Sequence, residues 1–117
     1  MAKIEHFALF AHDPAALKEF YVGIFGLRVV LANPGPPMGF FLGDDGGSVL
    51  EIIERPQDCP TPNQRFVCHV AIWVEDYHAK RAEIEALGYT FEVETCVENP
   101  QFRTAFFTDP GGNRCQI

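Results

Sequence analysis

A chain of 117 residues with 47% hydrophobic side chains is long enough to bury one core and too short for two independent ones. Its formal net charge of −7, with an isoelectric point near 4.9, disfavours nucleic-acid backbones and anionic membrane surfaces, which select for basic patches, and points to small molecules or proteins as partners. No apolar run approaches the roughly 20 residues of a membrane span, the N-terminal segment has too short an apolar core for a secretory signal, and the expected location is cytoplasmic.

Residues 3 to 10, rich in Ile, Phe and Leu, read as a strand running into Asp13-Pro14, an N-cap followed by proline at the first helical position. A helix from Pro14 to about Phe25 follows. Leu17, Phe20, Tyr21 and Ile24 form one apolar stripe on it, and Gly26 supplies the stop. Next come a strand in "LRVVLA", an irregular loop in "NPGPPMG", and a hairpin in "FFLGDDGGSVLEIIE" whose Asp-Asp-Gly-Gly tip tolerates positive φ. The outgoing strand carries Glu51. Residues 55 to 65, "RPQDCPTPNQR", hold three prolines without apolar periodicity, the composition of a linker. The order then repeats. A strand spans 66 to 74, Asp76 caps a helix to about Leu87, and Gly88 ends it. Strands follow near 90 to 97 and 103 to 108, with a turn at Asp109-Pro110-Gly111-Gly112 and a last strand from Asn113.

The repetition extends to individual residues. "IEHFALFAHD", Ile4 to Asp13, returns as "VCHVAIWVED", Val67 to Asp76, and His69 lies as far beyond His6 as Asp76 lies beyond Asp13. The expected fold is α+β, one domain over residues 1–117 made of two tandem βαβββ modules, about 1–54 and 66–117. Helices on the outer face leave the other face of the sheet to line a cleft. Strand alternation places His6, Ala8 and Phe10 on one face, His69, Ala71 and Trp73 on its counterpart, Glu51 with Val49 and Ile53, and Gln116 with Arg114. A histidine on an apolar strand needs a partner. Each repeat offers one imidazole and one oxygen-bearing side chain, which implies a site built between the repeats. Cys59, Cys68, Cys96 and Cys115 lack C-x-x-C spacing and read as incidental thiols, Cys68 and Cys115 turned away from the ligand face. His12 and His78, beside the helix caps, read as solvated.

The H-x-A-L and H-x-A-I strand starts, "FYVGIFGL", "LEII" and "TDPGGNRCQI", in this order, resemble the vicinal oxygen chelate superfamily of glyoxalase I, bleomycin-resistance proteins and extradiol dioxygenases. The resemblance covers essentially the whole chain. It implies a U-shaped mixed sheet around a divalent metal, held here by His6, Glu51, His69 and Gln116. Two imidazoles, a carboxylate and an amide oxygen suit Ni, Zn, Fe, Co or Mn. The commonest pattern in the family has Glu where this chain has Gln116, and in relatives similar to glyoxalase I that glutamate is the base. A neutral amide cannot take a proton; the approximate two-fold relation between the modules lets Glu51 supply the carboxylate and the base from the opposite side, and it is the expected catalytic residue. Phe10, Trp73 and Arg114 are the expected substrate-binding residues. The resemblance thus implies a metal-dependent lyase or isomerase similar to lactoylglutathione lyase, acting on a small oxygenated and perhaps glutathione-linked substrate, and a homodimer. The alternatives it leaves are a metal-free binding or antibiotic-sequestering protein of the bleomycin-resistance type, and an extradiol dioxygenase or a thiol transferase acting on fosfomycin.

Overall fold

The structure, a computed structural model, describes residues 4–117 apart from the Ser48 side chain; the first residue of the expected strand 3–10 lies outside the described residues. The chain divides into two compact units, Met1–Thr61 and Pro62–Ile117. Two helices and a set of mixed and antiparallel ladders make it α+β, as expected from the sequence.

In the first unit the order is β1 (Phe7–Ala11), α1 (Pro14–Phe25), β2 (Arg28–Asn33), β3 (Gly39–Asp44) and β4 (Gly47–Glu54). Spatially the strands run β1-β4-β3-β2, with β1 parallel to β4 and the other pairs antiparallel. The helix forms where its local chemistry allows it. Asp13 Oδ1 accepts the Ala16 N–H at 3.0 Å, Pro14 needs no donor at the first turn, and Gly26 takes φ +69° to close the other end on Val22 O. Leu17, Phe20, Tyr21 and Ile24 are buried against the sheet face that carries Leu9, Ala11, Leu42, Leu50 and Ile52. Each fully buried aliphatic side chain of this kind contributes about 1.5–3 kcal/mol. Alternation therefore turns Ala8, Phe10, Glu51 and Ile53 to the face that α1 leaves uncovered.

The second unit contains β5 (Val70–Ala71), α2 (Tyr77–Ala86), β6 (Val97–Glu98), β7 (Arg103–Thr104), β8 (Phe106–Thr108) and β9 (Arg114–Gln116). One ladder runs β5-β9-β8, with β5 parallel to β9, and a second joins β6 to β7. The Asp76 cap is as expected, its Oδ1 accepting from Ala79 N at 2.9 Å, and Gly88 follows the helix at φ +98°. Val70, Ile84, Phe91, Ala105, Phe107, Cys115 and Ile117 are buried.

Strand lengths in this unit differ from expectation for a physical reason. The expected strand 66–74 is reduced to Val70–Ala71, extended by one bond from Ile72 N to Gln116 O. Upstream, Asn63 Oδ1 takes the Arg65 N–H and Gln64 O takes those of Val67 and Cys68, so turn bonds consume the donors a ladder needs. Cys68 is consequently exposed, outside any strand, while Cys115 is buried. Likewise the expected strand 90–97 keeps one bond, Glu92 N to Phe106 O, before the chain turns at Val93, and Asn99 Oδ1 closes a second turn through Gln101 N and Phe102 N.

Asp109 holds the β8–β9 turn. It is almost fully buried, and its Oδ1 accepts from Gly111 N at 2.9 Å, Asn113 N at 2.8 Å and Asn113 Nδ2 at 3.2 Å. Asp109→Ala strands these donors and is expected to lower unfolding free energy by roughly 3–4 kcal/mol, with Asp109→Asn costing less because one acceptor oxygen survives. Urea unfolding of the two variants measures the difference.

Candidate functional site

In each unit the first and last strands pair in parallel at matching places. Ala8 faces Glu51 across β1 and β4, and Ala71 faces Gln116 across β5 and β9. A histidine stands two residues before each alanine, hence on the same face. A phenylalanine stands beside each oxygen-bearing residue, Phe41 opposite Glu51 and Phe106 opposite Gln116. The histidine meets it edge-on, His6 to Phe41 at 5.3 Å and His69 to Phe106 at 5.0 Å between ring centroids.

His6 and Glu51 come together. Nε2 of His6 lies 3.4 Å from Oε2 of Glu51, and the two side chains are 33% and 21% exposed, accessible to a small ligand without being fully solvated. Glu5 takes the other ring nitrogen, Nδ1. That arrangement is the carboxylate–histidine support found behind metal-binding imidazoles, which fixes the ring and aims Nε2 outward. Two donor atoms each about 2.1 Å from one ion, at a tetrahedral angle, stand about 3.4 Å apart. The pair therefore fits two adjacent positions around a divalent cation. The hydrogen bond that His6 donates to Glu5 raises the His6 pKa above its ordinary value; partial desolvation opposes this, and the charges of Glu5 and Glu51 reinforce it.

The second unit supplies the other two expected ligands in a different state. His69 is exposed and rests on Phe106. Gln116 donates its amide N–H to Thr104 Oγ1, which leaves the amide oxygen as the atom available to a cation. Among the described residues, no group of three or more His, Cys, Asp or Glu side chains gathers at one point within either unit. Each unit by itself carries two of the four expected ligands.

The expected substrate-binding residues separate. Phe10 is partly exposed on the His6 face and Trp73 is 86% exposed. Arg114 is committed to the protein: Nε and Nη2 donate side-on to Glu92 at 2.9 Å each, Nη1 donates to Arg65 O at 2.9 Å, and the guanidinium lies 3.7 Å from the Phe106 ring centre. It braces the strand that presents Gln116. Neither Glu92 nor Arg55 is singled out in the sequence reading. Arg55 prolongs the Glu51–Ile53 face, its N–H bonding Ala11 O at 2.7 Å, and is buried with Nη1 on Pro60 O. Its Nε has no partner among the described residues. His12, expected to be solvated, is half-buried with Nε2 on Cys59 O at 2.6 Å, and His78 is exposed with Nε2 3.1 Å from Glu98 Oε1.

Comparison with known proteins bears on this geometry. The family model of the Glyoxalase/Bleomycin resistance protein/Dioxygenase superfamily matches residues 3–117. Among solved structures, protein SMU.1112c is 28% identical, covers 99% of this chain and 97% of its own, and has a TM-score of 0.73. The trypanothione-dependent glyoxalase I of Leishmania major is 20% identical over 99% of this chain and 85% of its own, at a TM-score of 0.79. The fosfomycin resistance protein FosX of Listeria monocytogenes is 18% identical over 99% and 90%, at 0.73. The latter two are likenesses of fold. No curated protein sequence matches the chain.

Removing charge at Glu92 and at Arg55 should have opposite effects. Arg114 holds the Glu92 carboxyl below its ordinary pKa, chiefly through their hydrogen bonds and against the desolvation that opposes it. That contribution is complete above the ordinary carboxylate range and disappears as pH falls through the depressed value. Glu92→Gln should cost roughly 1–3 kcal/mol at neutral pH and flatten the acid limb of the stability curve. Arg55→Met, which removes a buried donor without a partner, should leave stability unchanged or raised. Thermal melts from pH 3 to 8 compare all three proteins.

Proposed function

This chain belongs to the Glyoxalase/Bleomycin resistance protein/Dioxygenase superfamily, and from that premise we propose a divalent-metal-dependent lyase or isomerase of the glyoxalase type, acting on a small substrate with oxygens on adjacent carbons. The observation that carries the proposal is the 3.4 Å approach of His6 Nε2 to Glu51 Oε2, with Glu5 behind the imidazole. The proposed ligands are His6, Glu51, His69 and Gln116. A bound divalent ion there supplies a Lewis acid for negative charge developing on substrate oxygen.

The remaining chemistry belongs to side chains of this chain. Glu5 holds His6 in the tautomer that frees Nε2. Glu51 is the proposed base: Oε2 faces His6, which leaves Oε1 to take the proton from the substrate carbon and return it to the neighbouring one. Gln116 is neutral and positions without exchanging protons, with Thr104 fixing its amide. Arg114, tied to Glu92, keeps the last strand in register and is a positioning residue. The likeness in fold to a glyoxalase I supports the same reading.

Protein purified without added metal should contain close to one divalent ion per chain, or take one up on titration with Ni or Zn. Absence of both would return the chain to the metal-free binding class. Metal affinity should weaken as pH falls through the raised pKa of His6, because the ion and the proton compete for the imidazole. With the hemithioacetal of methylglyoxal and glutathione as first substrate, Glu51→Gln should lower kcat by about 100-fold or more. Full turnover in that variant would remove Glu51 as the base.

A further inference from the structure

The register of β2, β3 and β4 arranges side chains in rows across the face that carries Glu51. One row reads Ala8, Glu51, Phe41, Leu31, and the next reads Phe10, Ile53, Gly39, Asn33. Gly39 has no side chain, so the second row is empty at its centre. A hollow of about 110 Å³ opens there, walled by Leu31, Phe41 and Ile53 and closed by Pro37 and Met38, with Glu51 at its margin.

The hollow is a built feature. A Cβ on Gly39 would come within 3.0 Å of Ile52 O, a backbone atom that cannot swing aside, so the gap is kept open by the ladder itself. Glu54 fixes the closing segment twice, its Oε2 accepting from Met38 N at 3.0 Å and its own N–H donating to Met38 O at 2.9 Å. Asn33 Oδ1 bonds Gly35 N at 3.0 Å and shapes the start of the same loop. Apart from Asn33 the walls are apolar, and the other polar group on the lining is the carboxylate assigned to the reaction.

We propose that this hollow is a subsite for a short unbranched alkyl group joined to the oxygenated carbons, which makes the substrate class short-chain aliphatic and excludes aryl substituents. The proposal rests on the reading of Glu51 as the reaction centre. Its size preference follows from the room between the walls: an enclosed cavity of about 150 Å³ with similar walls accommodates benzene, and this hollow, open on one side, is smaller. Met38, Leu31 and Ile53 set the length that fits.

Methionine provides a direct probe, because the chain has only two, Met1 and Met38. With ¹³C-methyl methionine, a Met38→Leu variant assigns the two signals. Titration of metal-free protein with n-alkanols from ethanol to octanol should shift the Met38 methyl, with affinity rising about three- to fourfold per methylene and levelling by about five carbons. Benzyl alcohol should bind more weakly than n-butanol. Leu31→Trp, at an exposed edge strand, should abolish the length dependence. An unmoved Met38 methyl, affinity independent of length, or preference for benzyl alcohol would overturn the proposal. A parallel series of alkylhydroxamic acids on zinc-loaded protein tests the metal reading separately: if these fail to bind while the alkanols behave as described, the hollow stands and the metal reading falls.

Discussion

The parallel pairing of β1 with β4 is the constraint on which the rest of the candidate site depends. Leu9 and Ala11 of β1 and Leu50 and Ile52 of β4 are buried with α1, and that apolar burial sets the register at Ala8 opposite Glu51. A slip of one residue would send Glu51 into the helix-covered face and Leu50 into the open one. Burial on one side of the sheet thus positions polar chemistry on the other. Parallel pairing of Ala71 with Gln116 does the same for the second unit with a shorter ladder.

Features legible in the sequence were those whose cause is local. Asp13, Pro14 and Gly26 at the ends of α1, and Asp76 and Gly88 around α2, act within four residues of where they stand, so the helix bounds could be read directly. The face shared by His6 and Glu51 was legible because alternation has a fixed period. The length of the strand at 66–74 was not, because its apolar residues match a strand while Asn63 and Gln64 divert its donors into a turn. The position of Arg114 was half legible. Alternation located it, but its partner Glu92 lies 22 residues away, and no sequence pattern links the two.

The same sheet face accounts for both the proposed chemistry and the proposed selectivity. Rows of alternating residues place a carboxylate, an imidazole and an aromatic ring side by side, and one glycine in the adjoining row removes a side chain where the substrate's apolar part would lie. Charge-assisted bonds, which are stronger than neutral ones, add rigidity within each unit, from Glu54 to the Met38 backbone in the first and between the Glu92 and Arg114 side chains in the second. In the proposed reaction Gln116, in place of an acidic residue, leaves proton transfer to Glu51, and the units differ in architecture as well, one four-stranded sheet against ladders of three and two strands.

We propose that the repeated histidine and oxygen positions form a nitrogen and oxygen metal site, and X-ray absorption spectroscopy of the zinc- or nickel-loaded protein reads its donor atoms. The expected spectrum shows scatterers at about 2.0–2.2 Å from nitrogen and oxygen, an imidazole signature, and no sulfur, since none of the four proposed ligands is a cysteine. A sulfur shell near 2.3 Å, or a spectrum of hydrated ion without imidazole, would contradict it.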